Sequence, residues 1–293
     1  MRRKIVITGI SSSLVQKLVR QIDPSKFELV GISRNPTVVS LDNVRIVKGD
    51  IRNFKEIASV LEGCYMIIHG AAVTHSRREK DYFETNLHAT RQIVQAAKDH
   101  QVSRFVLISS NTAGTDSGAY GLTKLQAEQH IEQEMDNWSI FRLSEVYGGG
   151  KKEGIEKLIQ DLLTKSIVLC PSNIPSKLCP IHVDDAARLL FSYIFADDNV
   201  NGMRVISGPE AFSYREIIRE TARIAKKNVR IFSIPRKFMF FVKWLTQVSP
   251  LPVGIVPDQV DRLYAVKHIE PNPDSQLKLE SYIEKLVTIK NKS

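Results

Sequence analysis

The 293-residue sequence is poor in cysteine, has no long apolar run, and lacks glycine at two places where it would be most telling. Its three cysteines, Cys64, Cys170 and Cys179, stand far apart with no CxxC pair, so neither a disulfide framework nor a zinc site is indicated. No metal is expected, and a cytoplasmic protein fits best. The most apolar later stretch, FMFFVKWL at Phe238 to Leu245, is far shorter than the ~20 residues a membrane-spanning helix needs. The start, MRRKIVITGISSSLV, has the basic residues and apolar run of a secretory leader, but Thr8-Gly9 and Ser11 to Ser13 interrupt it early, so it reads as a first strand. Low-complexity tracts and internal repeats are absent too, which leaves a globular fold to be found. The formal charge is +9, yet Lys and Arg are spread along the chain without interleaved aromatics. A dedicated nucleic-acid surface is therefore not expected.

Short runs rich in Val and Ile alternate with longer segments of helical period, the pattern of strand-helix units feeding a parallel sheet. The expected class is α/β, with a doubly wound sheet. Candidate strands are Lys4 to Thr8, Phe27 to Ser33, Val44 to Lys48, Tyr65 to His69, Phe105 to Ser109 and Ser139 to Arg142. Helices are expected at Asn53 to Leu61, Tyr82 to His100 and Ala119 to Met135. After Arg142 the regularity fails: VYGGGKKEG reads as a glycine-rich loop and CPSNIPSKLCP as a surface connection. VDDAARLLFSYIFA then reads as a helix with Asp184 and Asp185 in its first turn, and MRVIS as a strand. In SYREIIRETARIAKK, Ser213 and Glu216 have the spacing of a capping box.

The stretch KIVITGISSSLV has the form strand, tight turn, helix, which gathers unpaired backbone N–H groups into a site for a pyrophosphate. Gly9 supplies the turn. A dinucleotide fingerprint would place further glycines where Ser12 and Val15 stand. Ser11, Ser12 and Ser13 can offer hydroxyl donors in their place, whereas Val15 costs space at the helix-strand contact. The second strand ends in GISRNP, where an acid would accept from a ribose 2′-OH and an arginine would accommodate a 2′-phosphate. Arg34 stands there, favouring NADP, with NAD possible. The third strand ends in KGDIRN, putting Asp50 and Ile51 beside the expected adenine position, although Asp50 suits a turn or cap equally well.

In AYGLTK, Tyr120 and Lys124 lie four apart on one helical face. A phenol is a poor acid/base at neutral pH, and a neighbouring ammonium corrects this by stabilising the phenolate. Lys124 could also hold a cofactor ribose. At the carboxyl end of the fifth strand VLISSN places Ser109 and Ser110 where open α/β sheets bind ligands, so a hydroxyl there could bond a reacting carbonyl or alcohol.

Taken in order, VITGISSSLV, GDIRN, IIHGAAVTH, NLHATRQIVQAAKDHQVSRFVLISS, YGLTKLQAE, FRLSEVYG, IHVDDAARLL and VISGPEAFSYREII resemble the extended short-chain dehydrogenases/reductases, also called NAD-dependent epimerases/dehydratases. The resemblance covers nearly the whole chain. It implies a Rossmann-type domain at residues 1–148, with 182–207 returning to it, and a smaller substrate-binding lobe at 149–181 and 208–293. It further implies that Tyr120 is the general acid/base, Lys124 its partner, and Ser110 the substrate-oriented hydroxyl, with Ser109 the lesser candidate. His69, Gly70, Ala71 and Ala72 match a segment that lines the cofactor, Asn86 a helix position that supports the site, and Arg262 an arginine that contacts the substrate's diphosphate. Arg142 to Gly148 would flank the nicotinamide and sugar pocket.

Members that dehydrate carry an Asp-Glu pair where Asn111 and Thr112 stand, so elimination is disfavoured. The activity implied is NAD(P)-dependent reduction of a keto group on a nucleotide-linked sugar, ahead of epimerisation. The alternative is a non-catalytic binding or structural protein that kept the fold. A homodimer is expected. RKFMFFVKWL, with Arg236, Lys237 and Lys243 around its apolar residues, reads as a buried lobe helix or dimer contact in preference to a peripheral membrane helix, which stays open.

Overall fold

A Val/Ile-rich run with no polar alternation can bury itself only if both faces of its strand are covered, and the first strand shows this directly. In β1 (Arg3–Thr8), Ile5, Val6 and Ile7 are fully buried. A computed structural model of the chain describes residues 2–39, 41–150, 153–196, 201–248 and 257–290. The elements continue with α1 (Ser13–Val19), β2 (Phe27–Ser33), β3 (Val44–Lys48), β4 (Cys64–His69), α2 (Glu79–Tyr82), α3 (Ala89–Asp99), β5 (Arg104–Ser110), α4 (Gly118–Glu134) and β6 (Trp138–Leu143). They are joined later by α6 (Val183–Ile194) and β10 (Gly202–Ile206), once the intervening β7 (Val146–Tyr147), α5 (Gly154–Thr164), β8 (Ile167–Pro171) and β9 (Ile181–His182) have passed.

Seven strands form one sheet in the order β10-β6-β5-β4-β1-β2-β3. The pairings of β2 with β1 and β3, and of β4 with β1 and β5, are parallel, so the chain crosses over between consecutive strands, through α1 from β1 to β2 and through a short 3-10 turn, Pro36–Val38, from β2 to β3. Strand order runs outward in both directions from β1, so the sheet reverses direction beside it. In such doubly wound Rossmann-type sheets, ligands bind in the crevice outside the carboxyl ends of the strands at this switch point. Thr8, His69 and Ser110 end three of the strands around it.

The six expected strands all form, β2 and β3 to the residue. The helices differ more. The segment after β3, Ile51–Leu61, is 3-10 helical in two pieces that meet at a kink at Asn53, the first capped by the Asp50 carboxylate, which accepts from the Arg52 amide. The long helix starts at Glu79 and runs through a π-helical turn, Phe83–His88, before α3.

The chain divides into two compact units, one of residues up to Arg142 with Ala187–Arg204, the other of Leu143–Ala186 with the residues from Val205 on. The second unit also holds α7 (Tyr214–Ile224), β11 (Arg230–Ile234), α8 (Arg236–Val248), α9 (Pro257–Tyr264) and α10 (Leu279–Lys290). Two sequence readings need correction here. VYGGGKKEG is not all loop, because Val146–Tyr147 pairs with β9. CPSNIPSKLCP does not run over the surface at its ends: Cys170 belongs to β8, and Leu178 and Cys179 are buried. An amphipathic helix, α5, follows the glycines, burying Ile155, Leu158, Ile159, Leu162 and Leu163. The Ser213–Glu216 capping box forms, with both reciprocal bonds in place.

Candidate active site

Gly9 ends the β1 turn with φ +73°, a left-handed value that favours glycine, and a Cβ there would meet the Gly70 carbonyl carbon at 2.5 Å. Ser12 is the extended N-cap of α1, and its side chain makes no bond to the helix it caps. Ser11 is exposed, and Ser12 and Ser13 are half-buried. Val15, at the expected glycine position, is buried and occupies the space beside Gly70, whose added Cβ would lie 2.9 Å from Val15 Cγ2. The missing side chain thus sits on the strand instead of the helix.

Beyond β2, Arg34 is exposed and close enough to Asp50 to help lower its carboxyl pKa. The larger cause is Arg52, whose guanidinium binds both Asp50 oxygens, the closer at 2.6 Å. The Asp50 side chain is therefore engaged as cap and ion pair, and Ile51 packs into the core.

The side chains of His69, at the end of the segment matched to the cofactor lining, and of Asn86, matched to a position that supports the site, are both held by neighbouring residues. His69 Nδ1 lies 2.6 Å from Thr8 Oγ1, and Nε2 2.9 Å from Thr90 Oγ1. Thr90 donates its own proton to the Asn86 carbonyl, so by proton count His69 Nε2–H donates to Thr90. Thr8 Oγ1 accepts from the Ala71 amide and donates to Nδ1. Burial then pushes the His69 pKa from 6.5 down to about 3, with Lys124 adding a smaller push in the same direction. Asn86 bonds both the amide and the carbonyl of Val73, fixing the loop after β4.

The sharpest cluster lies between β5 and α4. Tyr120 and Lys124 are both buried on α4, and the Tyr120 ring packs edge-on against Tyr82 at 6.0 Å. Lys124 Nζ donates to the Ile108 carbonyl at 2.9 Å. Burial lowers its pKa from 10.5 to about 8, against the raising influence of Glu128. The two serines separate clearly. Ser109 donates to the buried Glu128 carboxylate, which also binds the Arg142 guanidinium at 2.5 Å. Ser110 is half-buried at the strand end, within 2.9 Å of Thr112 Oγ1. Beside it, the buried Asn111 Nδ2 has no hydrogen-bond partner among the described residues. Arg262, in the second unit, is engaged with Asp258 one helical turn earlier at 2.9 Å.

Sequence reasoning missed Glu128, although its place four residues after Lys124 on the same helical face was a visible signal. Among the described residues, no group of three or more His, Cys, Asp or Glu that could hold a metal ion occurs. Among those residues, too, no helix is long and apolar enough to cross a membrane.

A doubly wound sheet with a glycine turn after β1 and a Tyr–Lys pair on α4 defines a dinucleotide-binding class of α/β protein. The chain belongs to the NAD dependent epimerase/dehydratase family, whose model matches residues 5–206. Among curated proteins it is similar to a 3-beta-hydroxysteroid dehydrogenase of Mycolicibacterium neoaurum, 25% identical over 229 residues, which cover 67% of this chain and 61% of that protein. The chain spans 42%, 25% and 62% of the first three curated relatives it matches. Among solved structures, MoeE5 in complex with UDP-glucose and NAD superposes with a TM-score of 0.71 at 20% identity, over 99% of this chain and 100% of that one. UDP-glucuronic acid 4-epimerase from Bacillus cereus gives 0.68 at 19%, over 97% and 99%. At these identities the two structures speak for the fold.

Proposed function

We propose that the protein is an NAD(P)-dependent oxidoreductase that reduces a keto group on a nucleotide-linked sugar, with Tyr120 as the general acid. One observation carries this: Tyr120 and Lys124 are buried one turn apart on α4, which Lys124 ties to β5, the strand whose end offers the half-buried Ser110. The first turn of α1, which carries no acidic residue, together with Ser11, Ser12, Ser13 and the cationic Arg34, fits a dinucleotide with a 2′-phosphate. NADP is therefore favoured over NAD.

A reduced dinucleotide, held by Gly9, Ser11, Ser12, Ser13 and Arg34, would supply the hydride for the carbonyl carbon. The Tyr120 hydroxyl gives its proton to the carbonyl oxygen, and the resulting phenolate is stabilised by the Lys124 ammonium until solvent returns a proton. Ser110 donates to the same oxygen and orients it. Gly70 and Ala71 lie at the end of β4 beside the Gly9 turn, a place consistent with backbone contact to the cofactor. Asn111 and Thr112 carry no carboxylate, so elimination is not proposed. The nucleotide sugar is suggested by the UDP-sugar complexes of the two solved neighbours, and Arg262 is the residue of the second unit proposed to meet the diphosphate, on leaving Asp258.

The test mixes the purified protein with NADPH and a panel of 4-keto nucleotide sugars, with a ketosteroid added because of the hydroxysteroid dehydrogenase relative. NADPH absorbance is expected to fall with a sugar, and Tyr120→Phe to slow this by roughly 10²–10⁴-fold while the cofactor still raises the melting temperature. No NADPH loss across the panel refutes the reductase. If neither NADP nor NAD shifts the melting temperature, the non-catalytic alternative takes its place.

A further inference from the structure

The expectation that RKFMFFVKWL is buried in its lobe holds for only one face of α8. Met239 is buried and, with Phe240, packs against Val260, Leu263 and Tyr264. The opposite face carries Phe238, Phe241 and Trp244, which are 53%, 53% and 55% exposed. At i, i+3 and i+6 they form one row, with neighbouring rings 6.2 and 6.0 Å apart. Three large aromatic side chains half in water, aligned along one helix, form a continuous apolar strip of the kind that marks an interaction surface. The same unit exposes a second apolar group on the outer face of its two-stranded sheet, where Phe232 of β11 is paired with Leu169 of β8 and Ile167 with Arg230.

Charge decides what covers the strip. The helix carries Arg236, Lys237 and Lys243 and no acidic residue. Lys243 is neutralised by Asp261, at 2.5 Å. Arg236 lies over the Phe240 and Tyr264 rings and is exposed at the helix start, Lys237 beside it is exposed, and Arg230 is exposed on β11. A two-fold dimer through this face would bring the same patch of each copy together, cation against cation. An anionic surface meets the cations and accepts the aromatics, and Trp with Phe at the edge of basic residues is the composition of helices that lie in a bilayer interface.

We propose that α8 is a peripheral docking helix for an anionic lipid bilayer, with Phe238, Phe241 and Trp244 entering the interface and Lys237, Arg236 and Arg230 meeting the headgroups. The helix lies along the surface and leaves the rest of the chain in water.

The experiment uses the full chain with Trp138→Phe, so that Trp244 is the sole tryptophan emitter. Vesicles of phosphatidylcholine doped with phosphatidylglycerol are expected to shift Trp244 emission to the blue and to carry the protein upward on flotation, and added salt to weaken both. Lys237→Glu should lower partition by roughly fivefold or more, and Phe241→Ser with Trp244→Ser by at least about tenfold on flotation. Because all three side chains are exposed, circular dichroism should find the fold of these variants unchanged. The proposal is overturned if the protein partitions into neither vesicle, if pure phosphatidylcholine binds it equally well, or if sedimentation equilibrium shows a dimer that the double variant dissociates.

Discussion

The buried His69 makes the first unit sensitive to acid, and the size of the effect follows from its surroundings. The ring is held between Thr8 and Thr90, 1% exposed, with Nδ1 accepting the Thr8 proton. Protonation of Nδ1 would confront two donors, and Thr8 Oγ1 already accepts from Ala71. The ring therefore stays neutral in the folded chain down to about 3, whereas in the unfolded chain it takes up a proton near 6.5. With the folded pKa depressed, stability is fully present above 6.5 and is lost as the pH falls toward 3, because the unfolded state binds the extra proton over that window. At about pH 5 the loss is about 2 kcal/mol relative to about pH 7, and it reaches about 4 kcal/mol at the folded pKa. Urea unfolding at the two pH values, compared with His69→Gln, isolates this contribution: the variant is less stable throughout but loses about 2 kcal/mol less on acidification. NMR titration of the ring gives an independent reading that does not depend on the variant folding. A ring that titrates near its ordinary value, or a wild-type loss equal to the variant's, refutes the reasoning.

At the β1 turn, Gly70→Ala should cost about 1–3 kcal/mol, because its Cβ meets Val15, and Val15→Ala in the same chain should recover most of this in thermal melts. Glu128→Ala leaves the Arg142 charge and the Ser109 hydroxyl without their acceptor; with Arg142 23% exposed the cost should sit near the lower end for buried pairs, about 3 kcal/mol, and Glu128→Gln should cost less. Turnover in the NADPH assay should fall as the pH rises through about 8, where Lys124 loses the charge that stabilises the Tyr120 phenolate. Since Glu128 raises the Lys124 pKa, Glu128→Gln should move that alkaline limit to lower pH, read from the pH dependence of kcat/KM.

What could be read from the sequence was what local chemistry determines alone. β2 was bounded to the residue because its buried run, Leu29 to Ile32, lies between polar stops, and the short edge strand β3 because Gly49-Asp50 ends it. The Ser213–Glu216 cap was legible because its two bonds are three residues apart. The Tyr120–Lys124 pair was legible for the same reason, being one helical turn. By contrast, Glu128 acts by joining Ser109 of β5 to Arg142 of β6, and only the sheet brings those strands to the helix. Of Asp50, the cap reading was legible, whereas the bonds of His69 to Thr8 and Thr90, and of Asn86 to Val73, join residues that are far apart in the chain or in a loop with no pattern of its own.

Val15 is the clearest case of a pattern misread by being read one residue at a time. The fingerprint glycine at that position exists to let a helix approach the neighbouring strand, and the requirement is on the pair in contact: one Cβ too few, on either side. Here Val15 keeps its side chain fully packed, and Gly70 at the end of β4 gives up the Cβ that would have met it at 2.9 Å. A valine where glycine is expected therefore does not signal a lost site when the facing strand ends in glycine. The double variant Val15→Ala with Gly70→Ala decides the matter, since exchange of the void between the two partners restores the contact only if the void, and not the identity of residue 15, is what the turn requires.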